Sequence, residues 1–170
     1  MTTLRLSTLA LMLSIILWGT LLGGIAYSHL VYFPVYLSAL PDSAVIVNGP
    51  YGLNDGRFWG LIHPLLILSL IATIVLNWNQ KARRKLIGIT ITLYVLAVLA
   101  TVLYFVPELM AFANSPNLSV SPEEWLARGR RWQRLSWLRG FIMYVGFVPL
   151  LFALAVPVRD PKESNQATAS

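Results

Sequence analysis

His29, His63, Glu108 and Arg139 are the side chains best able to do chemistry in this chain, because each stands in or beside a long apolar run. His63 is the clearest case. It lies about one helical turn into "GRFWGLIHPLLILSLIATIVLNW", residues 56–78, where a leucine would be safer. Ionisable groups at membrane depth are costly and mark functional candidates by default. Three chemistries suit the set. Two histidines with a carboxylate are a facial-triad ligand set for non-haem iron, here His29, His63 and Glu108. Two histidines alone can ligate haem axially. A His–Glu pair with Arg139 can move a proton and stabilise an enolate or phenolate with no metal or other cofactor. No HxxxH or ExxH spacing selects a metal, so all three stay open. Plainer alternatives stand beside them. Either histidine can simply bond a backbone carbonyl near the interface, and Glu108 with Arg139 can be a structural ion pair between two helices. The absence of cysteine from all 170 residues excludes disulfides, Cys-ligated zinc, iron–sulfur clusters and dithiol redox chemistry.

Four charge-free segments must position these residues. No Asp, Glu, Lys or Arg occurs in 6–41, 58–80, 86–107 or 140–158. Charged residues make up 12% of the chain, about half of what a soluble domain carries. A bilayer core needs about 20 apolar residues of helix. The runs therefore predict spans near 7–33, 58–78, 86–108 and 137–157. The fold class is an all-α integral membrane protein, an antiparallel four-helix transmembrane bundle occupying 1–158. A polar, disordered tail follows at 159–170. The first run is too long for the h-region of a secretory signal and reads as a retained span. In "SPEE", Ser121 is placed as an N-cap with Pro122 behind it, which predicts a short amphipathic helix over about 122–133 before the last span. The 37–57 loop has turn chemistry around a strand-like "AVIV".

The formal charge of +6 does not indicate nucleic acid, because the basic residues lie between the apolar runs, where they meet lipid headgroups. The lipid bilayer is the expected partner, with a small lipophilic molecule as ligand. Oligomeric state is not legible. With the N-terminus inside, Arg5, Lys81, Arg83, Arg84, Lys85, Arg159 and Lys162 face the cytoplasm. Arg57, Arg128, Arg130, Arg131, Arg134 and Arg139 face outward. That is seven against six, and the tight basic turn at 79–85 decides for both termini in the cytoplasm, with the protein in the cell (inner) membrane. The arginine-rich "ARGRRWQRLSWLR" on the outer side reads either as an interfacial grip or as a wall over a pocket.

In such a bundle His29, His63, Glu108 and Arg139 meet at the outer face. Tyr94, Thr101, Tyr104 and Glu108 recur at helical intervals and predict a polar stripe entering the membrane. Tyr104, Trp59, Arg134 and Trp137 are the expected substrate-pocket residues. Tyr27, Tyr32 and Tyr36 suit the aromatic belt. Gly19 and Gly23 form a GxxxG spacing that allows close helix approach.

The segments "YSHLVYFPVY", "LPDSAVIVNGPYG", "RFWGLIHP", "YFVPEL" and "RRWQRLSWLR" together resemble a bacterial group of small four-span membrane proteins related to the anthrone-oxygenase-like family. The resemblance runs from Gly23 to about Ala155. It implies a four-helix bundle with its site at the outer face and, in the name-giving branch, oxygenation of a polycyclic phenolic substrate. Two function classes follow. One is an enzyme acting by oxygenase or acid–base chemistry on an aromatic or quinone-like molecule. The other is a non-catalytic binding module or accessory subunit of a membrane complex.

Overall fold

The structure, a computed structural model, describes residues 2–157, with side chains from Arg5 onward. The tail expected from 159 lies outside the described residues. Four long helices account for the chain. Helix α1 covers 2–36, α2 covers Gly56–Leu76, α3 covers 81–113 and α4 covers Pro122–Ala155. All four are long and apolar enough to cross a membrane. The shortest has 21 residues and rises about 31 Å, the thickness of a bilayer core. A span must satisfy its own backbone hydrogen bonds in lipid, so apolar runs of this length become helices.

The expected spans are present, and the last two helices extend well beyond their charge-free runs. The short helix expected before the last span is continuous with it. Ser121 caps the start, its hydroxyl accepting from the Glu124 backbone N–H at 3.2 Å, and 34 residues then run unbroken. The strand-like "AVIV" is helical instead, a 3₁₀ turn at Asp42–Ala44 running into Val45–Asn48. A lone apolar tetrapeptide has no strand to pair with in an all-helical chain, and a local turn satisfies its backbone without one. Asn48 donates to the Ala113 carbonyl, tying this loop to the end of α3.

Around the bundle α1 packs on α2 and α4, and α3 packs on α4, while α2 and α3 touch least. Polar side chains link the helices deep in the bundle. The Ser14 hydroxyl meets Ser69 at 3.1 Å and Thr73 at 2.9 Å, joining α1 to α2. Trp18 donates to the Met143 carbonyl from α1 to α4, and Thr90 donates to the Gly146 carbonyl from α3 to α4. Helices in lipid lack a hydrophobic drive toward each other, so close packing and such bonds hold them. At the end of the bundle that holds the turn between α2 and α3, Arg83 is buried and donates to the carbonyls of Leu154 and Val156, satisfying acceptors that the end of α4 leaves open.

Two π turns break the α-helical pattern, at Ser28–Tyr32 in α1 and Thr101–Phe105 in α3. Each leads into a proline, Pro34 or Pro107. Proline has no N–H and its ring crowds the carbonyl four residues back, and the wider i→i+5 turn accommodates both. Both π turns lie in the half of the bundle away from the turn between α2 and α3.

Candidate functional site

Between these π turns is a cavity of about 510 Å³. All four helices reach it. His29 and Phe33 come from α1, Trp59 and His63 from α2, Thr101 and Phe105 from α3, and Arg139 from α4. Asp55, just before α2, also lines it. The rim on α3 includes Val102, Val106 and Met110, which are exposed on the lipid-facing surface. The cavity thus opens sideways where α2 and α3 pack least.

Arg139 is half-buried in the wall. One guanidinium nitrogen, Nη1, donates to Thr101 Oγ1 at 2.8 Å, and Nη2 donates to Ser136 Oγ at 3.0 Å. The group lies 4.2 Å from the centre of the Phe105 ring. Thr101 passes its own hydroxyl proton to the Ala97 carbonyl at 2.7 Å. Ser136 lies 3.0 Å from His29 Nε2, and His29 Nδ1 lies 2.8 Å from the Ile25 carbonyl. A carbonyl can only accept, so Nδ1 carries the proton and Nε2 accepts from Ser136. The polar chain runs Arg139 to Ser136 to His29 to Ile25, each hydrogen bond in the same sense. Among the described residues no carboxylate pairs with Arg139.

His63 is placed differently. Its Nδ1 lies 2.7 Å from the Tyr94 hydroxyl, across the α2–α3 gap, and among the described residues Nε2 has no hydrogen-bond partner. Because His63 lines the cavity and Tyr94 does not, Nε2 is the nitrogen free to meet a ligand.

The sequence-derived candidates therefore divide. His29, His63, Arg139 and Trp59 line the cavity, while Glu108, Tyr104, Arg134 and Trp137 do not. Glu108 pairs with Arg128 rather than Arg139, at 2.9 Å and with a second contact at 3.2 Å. The expected Glu108–Arg139 pair is thereby corrected. The expected stripe Tyr94–Thr101–Tyr104–Glu108 assumes a regular helix. The π turn at Thr101–Phe105 resets the register, so Thr101, Phe105 and Leu109 share the cavity face. Tyr104 packs against the cap core, the buried cluster around Phe33, Phe105, Phe112, Trp125 and Trp132, and among the described residues its hydroxyl has no partner. Arg134 is exposed on the bundle surface. Trp137 is also exposed but packs at a tilt against His29, ring centres 4.6 Å apart, and so backs the histidine from outside.

The facial triad does not assemble. Among the described residues no three His, Asp or Glu side chains converge on one point. Both His29 nitrogens are bonded within the protein and Glu108 is held by Arg128. Haem ligation by His29 meets the same obstacle, since Nε2 already accepts from Ser136.

Sequence reading missed Ser136 and Asp55. A lone serine inside an arginine-rich stretch gives no signal, and Asp55 sits in turn-forming "NDG". No family model, curated protein or solved structure matches this chain.

Proposed function

We propose that this multi-pass membrane protein binds a small lipophilic molecule bearing a carbonyl or phenolate oxygen, aromatic or quinone-like, in the cavity between the π turns. Arg139 carries the reading. It is a cation held by two neutral hydroxyls, and among the described residues no carboxylate pairs with it. Intramembrane charges normally find partners, and a ligand oxygen is the partner this wall is built for. The lateral rim at Val102, Val106 and Met110 gives entry from the bilayer.

His63 supplies the acid–base function in this reading. Tyr94 fixes its ring from behind and Nε2 faces the ligand, the arrangement in which a histidine exchanges a proton with a bound oxygen or adjacent carbon. Arg139 stabilises the oxyanion formed when that proton leaves. Residues of the same outer face underlie the resemblance to the anthrone-oxygenase-like group, whose substrate class is compatible.

The test is a titration of detergent-purified protein with a hydroxynaphthoquinone, whose visible spectrum reports both binding and ionisation. The wild type should bind and stabilise the ionised form, and Arg139→Gln should weaken binding about tenfold or more. Unchanged binding in Arg139→Gln rejects the reading. Binding by a protein that turns over no phenolic or quinone substrate would make it a binding module, the non-catalytic alternative.

A further inference from the structure

A second cavity of about 500 Å³ lies against the first and shares Ser28, Asp55 and Trp59 with it. It opens between the outer ends of α1 and α2. Its wall is aromatic on several sides, with Tyr27, Tyr32, Phe58 and Trp59, and Asp55 is its only charged residue. Phe58 and Trp59 stand edge to face, 4.8 Å between centres. Gly24 leaves the space that the Phe58 ring fills. The Asp55 carboxylate accepts one bond, from Trp59 Nε1 at 3.3 Å, and among the described residues has no cationic partner.

We infer that this cavity is an ammonium site, taking a primary or quaternary amine between the aromatic faces with Asp55 as counter-charge. Aromatic quadrupoles attract cations face-on, and clustered aromatic rings are the usual means of holding a quaternary ammonium. A carboxylate lacking a cation in the same wall adds directed charge. An apolar ligand would not need Asp55; an anion would be repelled by it here, because Arg139, which offsets Asp55 in the first cavity, is not in this wall. The cavity therefore complements its neighbour, where Arg139 favours an oxygen anion. The amine could come from a phospholipid headgroup or from a free organic cation, and the chemistry is the same. The inference rests on Asp55 and the aromatic wall, and does not depend on the function proposed for the first cavity.

The experiment titrates choline, and separately its neutral isostere with tert-butyl in place of trimethylammonium, into the full chain in maltoside micelles, followed by ligand-detected NMR. Choline should bind and the isostere should not. Asp55→Asn should weaken choline about tenfold or more, an effective-dielectric estimate for a lost counter-charge. Tyr27→Leu, at an exposed position whose loss leaves the fold intact, should weaken it about two- to fivefold, the loss of one cation–π face. Equal binding of the two isosteres, or choline binding unchanged in Asp55→Asn and Tyr27→Leu, overturns the inference. Phosphatidylcholine added to the same micelles separates the sources. Displacement of choline assigns the site to a lipid headgroup, and retention of choline assigns it to a free cation.

Discussion

Glu108 on α3 grips Arg128 on α4 through both carboxylate oxygens, at 2.9 and 3.2 Å, with the two side chains only 19% and 24% exposed. The guanidinium also lies 4.6 Å from the Trp125 ring centre, over the cap core. The pair staples the two helices that pack most closely at the end of the bundle where α3 gives way to α4, and it stands outside the cavity.

Removing one partner should therefore act on stability and leave the ligand alone. Glu108→Ala should lower stability by about 1–3 kcal/mol, since Arg128 is left partly buried without its acceptor. A hydroxynaphthoquinone titration on the folded fraction should be unaffected. Weakened quinone binding at normal thermal stability would put Glu108 in the site after all.

Arg139 should show the opposite behaviour. It is half-buried, and neither hydroxyl partner neutralises its charge. Replacing such a group by an apolar side chain of similar length removes a desolvation penalty. Arg139→Met should thus unfold at the same temperature as wild type or higher, while quinone binding disappears. A large loss of thermal stability in Arg139→Met would show that the arginine is structural.

Two adjacent glycines in α1 give a paired test of packing. A Cβ on Gly24 would lie 2.4 Å from the Phe58 ring, whereas one on Gly23 meets nothing within 4 Å. Gly24→Ala should destabilise by about 1–3 kcal/mol through overpacking. Gly23→Ala should be neutral or stabilising by up to about 1 kcal/mol through helix propensity. Thermal unfolding of the two variants in one detergent checks the difference, and equal midpoints would contradict the α1–α2 packing.

Orientation can be read with single cysteines, since the chain has none of its own. Ser119 and Asn79 are exposed in loops at opposite ends of the bundle. With the termini inside, Ser119→Cys should react with a membrane-impermeant maleimide in intact cells and Asn79→Cys only after lysis. The reverse pattern would place the cavity at the cytoplasmic face.

The four spans were legible because lipid imposes one strong rule. A run of about 20 residues without charge must close its backbone bonds within itself, so it becomes a helix wherever it lies. The depth of His29, His63 and Arg139 followed from the same runs. Helix faces did not follow, because they depend on an unbroken period. Pro34 and Pro107 are visible in the chain, but the way each break is absorbed is not, and the π turn before Pro107 moved Tyr104 and Glu108 off the cavity face.

The sequence by itself determined the class and the number of spans, since burial in lipid depends on local composition alone. Tertiary structure decided the pairings: Glu108 with Arg128, Arg139 with Thr101, His63 with Tyr94. Each joins residues 20 to 38 positions apart in the chain. Helix rotation, crossing and the two π turns bring them together, and these are properties of the packed bundle rather than of any one segment.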